Sequence, residues 1–221
     1  GMKSALIALM AFCLCWGVGC SKNLSEFQKT KAMAMLGDAS AQGYLATMYY
    51  YGLGVEKDFK EAAKWQRKAA DQGWKVAQLN LGYMYANGHG VEQDFKEAAK
   101  WNRKAADQGL ADAQHLLGVA YDDGQGVKQD FKEAVQWYRK AADQGYAKAQ
   151  HKLGVMYNNG EGVLEDNVTA YAWWNIAAAN GSKSAKDNKP KIAKDMTPEQ
   201  IAKAEELLIE MIKKNPKLLN K

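Results

Sequence analysis

Catalysis needs a nucleophile beside a base, or several metal ligands brought together, and few residues of this 221-residue sequence qualify. It has three histidines. His115 and His151 are separated by 36 residues and occupy the same place in a repeated pattern, so they stand one structural step apart and cannot share a metal. His89 lies between Gly88 and Gly90, a setting that predicts a solvated loop histidine. Cys13, Cys15 and Cys20 all fall at or before residue 20, so the rest of the chain has neither a disulfide nor thiolate ligands. No serine sits in a recognisable nucleophile setting. Trp65, Trp101, Trp137 and Trp173 could stack on sugar rings, yet each recurs beside alanines at one phase and reads as core between units. These residue types point to binding without cofactor or metal.

What must position them is a repeat. DFKEAAKWQRKAADQG, from Asp58 to Gly73, returns as DFKEAAKWNRKAADQG from Asp94 and as DFKEAVQWYRKAADQG from Asp130. Asp58, Asp94, Asp130 and Asp166 are each 36 residues apart, as are the four tryptophans. A unit this short cannot bury its own apolar face, so it must stack on its neighbours in a solenoid. The repeats span residues 41–76, 77–112, 113–148 and 149–184.

Each copy reads as two helices. In the first, Ala77, Leu81 and Tyr85 of the second copy fall on one face at i, i+4 and i+8, with Gln78 beside them. Gly82, Gly118 and Gly154 sit next to that leucine, and glycine inside a helix costs about 1 kcal/mol, so its recurrence calls for a close packing contact. Gly52, Gly88, Gly124 and Gly160 end the first helix. Asp58 caps the second, with Glu61 placed to bond back to the cap, and the pair returns at Asp94/Glu97 and Asp130/Glu133. The fourth copy has Thr169 in place of the glutamate, which predicts a less firmly started helix. Ala62, Trp65 and Ala69 face inward, while Lys60, Lys64 and Lys68 face water. After the closing glycine, Trp74, Leu110 and Tyr146 are expected to pack back on the helix just ended.

The ends differ from the middle. Gly1 ahead of Met2 reads as a processing remnant. Lys3, the uncharged run Ala5 to Gly19 and the small residues before Cys20 make residues 1–20 a signal segment, too short to span a bilayer. Cysteine at its end resembles a bacterial lipobox, although Gly17 stands where leucine is usual. That resemblance implies lipidation of Cys20 and, with Ser21 after it, a periplasm-facing outer-membrane lipoprotein; conventional cleavage is the first alternative and a retained anchor the second. Loss of the segment, which holds one lysine and no acid, takes net charge from +5 to +4, scattered among acids and no footprint for nucleic acid. Residues 21–40 hold a lead-in and a capping helix over Lys29 to Leu36. Residues 185–221 hold C-terminal capping helices: one over Ser184 to Lys194 disturbed by Pro190, and one opened by Thr197-Pro198-Glu199-Gln200.

LGYMYANGHGVEQDFKEAAKWNRKAADQG, Leu81 to Gly109, resembles the Sel1-like repeat. The resemblance implies an all-α fold, a right-handed α/α superhelical solenoid related to tetratricopeptide repeats, acting as an adaptor or scaffold for other proteins. Cysteine-rich bacterial members carry a disulfide in each repeat and are associated with β-lactam binding or hydrolysis. No cysteine follows residue 20, so binding or hydrolysis of cell-wall fragments or β-lactams is the second expectation, not the first.

Positions alike in every copy serve stacking, and positions that differ are free to read a ligand. On the exposed side of the first helices these are Tyr44, Thr47 and Tyr51; Asn80, Tyr83 and Asn87; Leu116, Val119 and Asp123; and Lys152, Val155 and Asn159. The tetratricopeptide analogy makes this the concave face, and a peptide or protein segment laid along it the expected partner of a monomer.

Overall fold

A computed structural model of the chain describes residues 25–219. The expected signal segment and Cys20 lie outside the described residues. Helix α1 (Glu26–Met35) precedes four helix pairs: α2 (Ala39–Tyr51) with α3 (Phe59–Asp71), α4 (Lys75–Asn87) with α5 (Phe95–Asp107), α6 (Ala111–Asp123) with α7 (Phe131–Ala142), and α8 (Ala147–Asn159) with α9 (Asn167–Ala179). Then come α10 (Lys183–Ile192), α11 (Pro198–Lys214) and a 3-10 turn (Pro216–Leu218). From α1 to α10 each helix packs on the next, and α11 returns onto α9, so the described residues form an all-α solenoid.

The repeated letters account for the repeated contacts. Asp58 Oδ1 accepts from the backbone N–H groups of Lys60 and Glu61 at 2.8 and 3.0 Å, and Asp94, Asp130 and Asp166 do the same in their helices. The expected return bond from Glu61 does not form. The Asp58 N–H is already donated to the Tyr49 carbonyl at 2.9 Å, which ties the connection to the first helix and leaves Glu61 to pair with Lys64. The fourth helix is started as firmly as the others, because the Thr169 hydroxyl donates to Asp166 Oδ2 at 2.6 Å.

Leu45, Leu81, Leu117 and Leu153 are wholly buried, with Trp101 and Trp173 nearly so. Three arginines join successive units. The Arg67 guanidinium donates to the Tyr85 hydroxyl and lies 5.1 Å from the Trp101 ring, and Arg103 and Arg139 repeat this with Tyr121/Trp137 and Tyr157/Trp173. The phased glutamines form a second ladder: Gln78 Nε2 donates to the Ala70 carbonyl at 3.1 Å, and its Oε1 accepts from Gln108 at 2.8 Å. Gln42/Gln72, Gln114/Gln144 and Gln150/Asn180 are its other rungs.

Trp74, Leu110 and Tyr146 do lie against the end of the preceding helix, but they also reach the previous first helix. A Cβ on Gly43 would stand 1.7 Å from the Trp74 ring, and the Tyr146 hydroxyl donates to Asp112 at 2.9 Å.

Both caps are more extensive than expected. Helix α1 starts three residues earlier than Lys29, because Ser25 and Gln28 form a reciprocal capping box. At the other end Pro190 falls in the last turn of α10, which ends two residues later. Thr197 and Gln200 form a second capping box at the start of α11. The stack is closed by the tail as well as by α11: Leu218 is 3% exposed, and its carbonyl accepts from Gln150 at 2.8 Å and from Asn180 at 2.6 Å.

Candidate functional site

Four of the twelve copy-variable residues are brought together at one place. Thr47, Tyr51, Asn80 and Tyr83 meet at a cavity of about 140 Å³ between α2 and α4, whose wall and floor are completed by Tyr50, Gln66 and Met84. Tyr44, Tyr51 and Tyr83 are 56%, 67% and 49% exposed, an aromatic surface unusual for residues with no internal task. Thr47 turns inward, its hydroxyl donating to the Gly43 carbonyl at 3.0 Å, and Asn87 folds back on its own helix to the Tyr83 carbonyl at 2.8 Å.

His89 departs from the expected solvated loop residue. It is only partly exposed, stacks on Phe59 at 5.0 Å, and hydrogen-bonds the Tyr50 hydroxyl through Nδ1 at 2.8 Å. The ring fixes Tyr50 at the cavity edge and places a polar group beside Tyr83, 5.9 Å away. Position 89 holds no aromatic in the other copies, so the alignment of repeats hid an aromatic cluster assembled across two of them.

The third repeat is different in kind. Asp122 Oδ2 accepts from the Tyr138 hydroxyl at 2.9 Å and from Lys152 Nζ at 2.8 Å, so Lys152 is held in an ion pair. Leu116 and Val119 are half-buried, and Asp123 is exposed. His115 lies beside this group, its ring 5.7 Å from Tyr138 and 5.3 Å from Tyr146. Burial, with the positive charges of Lys148 and Lys152 added, pushes its pKa down to about 4 against the opposing pull of Asp112. The imidazole is therefore neutral at pH 7. Burial likewise raises the Tyr138 hydroxyl well above the ordinary tyrosine range, helped by Asp122. Val155 and Asn159 belong to a separate polar cavity of about 270 Å³ near the C-terminal end, shared with Asn158, Trp174 and Asn188.

Sequence reasoning missed the residues beneath this face, which come from the second helices. Gln66, Asn102, Tyr138 and Trp174 occupy one repeat position. Against three of them stand the first-helix glycines. A Cβ on Gly82 would be 2.3 Å from Asn102 Oδ1, on Gly118 2.6 Å from the Tyr138 ring, and on Gly154 2.3 Å from Trp174 Nε1. The glycines thus admit a side chain from the partner helix, a more specific task than close helix approach. A signal was present: the first two DFKEAA…DQG copies are identical in sixteen residues except at Gln66 and Asn102.

The four also differ in satisfaction. Tyr138 donates to Asp122 and Trp174 Nε1 donates to the His151 carbonyl at 3.1 Å. Gln66 Oε1 and Asn102 Oδ1 are buried without a hydrogen-bond partner. Among the described residues no group of three or more His, Cys, Asp or Glu is placed to hold a metal ion.

A family model described as the Sel1 repeat matches residues 30–74, 75–110, 111–146 and 147–182. The fold is similar to that of a protective antigen present in uropathogenic Escherichia coli strains, described as displaying an SLR fold, at 37% identity and a TM-score of 0.80; the match covers 91% of this chain and 44% of that one. It is also similar to a Sel1 repeat protein from Oxalobacter formigenes at 39% identity and a TM-score of 0.69, over 75% of this chain and 69% of that one. The chain thus spans less than half the length of the first of these proteins. No curated protein matches it.

Proposed function

We infer the function from one premise, that this chain belongs to the Sel1 repeat family, whose solenoids generally serve as scaffolds for other proteins. It is a non-catalytic interaction module that takes a peptide or protein segment along the face of its first helices, the concave face of the superhelix. The observation that carries this reading is the exposed pair Tyr51 and Tyr83 at a small cavity, with Tyr44 exposed two turns earlier on α2, all at positions where the copies differ. Stacking in the shared framework gives these side chains nothing to do. The module is exported as a monomer and anchored to the periplasmic face of a bacterial outer membrane through Cys20. The run from Lys3 to Cys20 supports that location.

Triple replacement of Tyr44, Tyr51 and Tyr83 by alanine tests the binding face. Partner recovery by crosslinking and mass spectrometry should be lost while the thermal melt stays within a few degrees of wild type; recovery that persists assigns binding elsewhere. Turnover of a chromogenic β-lactam such as nitrocefin by the purified protein would overturn the non-catalytic reading.

A further inference from the structure

An unmet hydrogen-bonding group lies in the floor of the α2/α4 cavity. Gln66 is 3% exposed, lines the cavity, and holds Oε1 buried with no partner. Burying an acceptor unpaired costs as much as a hydrogen bond contributes or more, and such groups in native folds ask for a reason. The surroundings narrow what would supply the donor. Tyr50, Tyr51 and Tyr83 give the cavity aromatic walls and Met84 a polarizable one, and no charged residue lines it. A neutral, flat group with a hydrogen-bond donor fits, whereas an ammonium, guanidinium or carboxylate finds no counter-charge.

One repeat further on Asn102 Oδ1 is also buried and unpartnered, but it is packed against Gly82. In the third and fourth units the equivalent Tyr138 and Trp174 are bonded within the fold.

Building on the concave-face reading, we propose that the α2/α4 cavity is a specificity pocket for an aromatic side chain bearing a donor, tyrosine or tryptophan, of the bound peptide, with Gln66 as the residue that selects it. The Tyr or Trp ring packs against Tyr51 and Tyr83, and its O–H or N–H donates to Gln66 Oε1 once the Gln66 amide turns toward the cavity. Phenylalanine fills the space and leaves the acceptor unmet. Recognition is concentrated in the first two repeats.

Selection from a phage-displayed library of random 12-residue peptides against the folded chain tests this, followed by titration of the winning peptides and their Tyr→Phe or Trp→Phe analogues. Three proteins are compared: wild type, Gln66→Met, which keeps length without the acceptor, and Tyr83→Arg, which obstructs the groove. Expected are peptides with an enriched tyrosine or tryptophan, weakened about tenfold by the phenylalanine change in wild type. That ratio should fall to about one in Gln66→Met, and Tyr83→Arg should block binding. Peptides blocked by Tyr83→Arg yet indifferent to phenylalanine or to Gln66→Met overturn the pocket and leave the concave-face reading standing; that result places a water on Gln66. Peptides that bind unaffected by Tyr83→Arg, or an empty selection, overturn both. Far-ultraviolet circular dichroism melts of all three proteins confirm that each comparison is made on folded protein.

Discussion

Exchanging Gly118 for alanine should destabilise the third repeat, and exchanging Tyr138 for glutamine in the same molecule should remove that penalty. The alanine Cβ would stand 2.6 Å from two carbons of the Tyr138 ring, a separation that real Cβ atoms do not tolerate. Tyr138 is wholly buried and its hydroxyl is bonded to Asp122, so the ring cannot swing aside without losing that bond. Overpacking of this kind costs roughly 1–3 kcal/mol and a lost bond to a charged acceptor about 1.5–3 kcal/mol, against a gain of about 1 kcal/mol from alanine in a helix. The single change should therefore cost about 2 kcal/mol. The first repeat already carries the alternative pairing, Ala46 with Gln66. Tyr138→Gln alone should cost about 3 kcal/mol for the lost ring. The double variant should fall short of the sum by about 3 kcal/mol, because the clash no longer exists while the gain of about 1 kcal/mol from alanine remains. Urea unfolding of the four proteins measures this, with equal m-values required before the cycle is closed, since solenoids need not unfold in two states. Additivity within about 0.5 kcal/mol would refute the claim that glycine is there to admit the second-helix side chain.

His115 should make the protein acid-sensitive: its folded pKa of about 4 lies below the ordinary 6.5, so the unfolded chain takes up a proton that the folded one refuses. Stability then falls as pH drops from 6.5 toward 4, by on the order of 3 kcal/mol, and His115→Leu, which copies Leu79 of the second repeat, should flatten that slope in urea unfolding at several pH values. Asn180→Ala removes the bonds to the Leu218 carbonyl and to Gln150, and should raise hydrogen exchange at residues 215–219 while lowering stability by about 1–2 kcal/mol. Cys20→Ala should abolish incorporation of labelled palmitate in cells, and labelling that persists would overturn the assignment of Cys20 as the lipidated residue.

The framework was legible because repetition exposes what stacking needs. Leu81, Gly88 and Asp94 recur with fixed spacing, and each occupies the structural place that its chemistry demands. What escaped was contact between different copies. Glu61 was free to cap its helix only as long as the Tyr49 carbonyl was ignored, and His89 read as a loop residue because Phe59 and Tyr50 lie thirty and more positions away. Gln66 is hidden differently: it sits in the most faithful stretch of the repeat, where its variation is masked by neighbours that do have structural tasks. The tail escaped too, because nothing local in Asn215 to Leu219 announces that Leu218 closes the stack.

The central claim is that recognition resides on the first-helix face of the first two repeats. Site-specific photo-crosslinking in cells measures it directly, with p-benzoylphenylalanine placed at Tyr83 in one strain and at Lys104, on the exposed second-helix side, in another. A discrete crosslinked partner from position 83 and none from position 104 is the predicted result. A partner captured from position 104 and not from position 83 would contradict it.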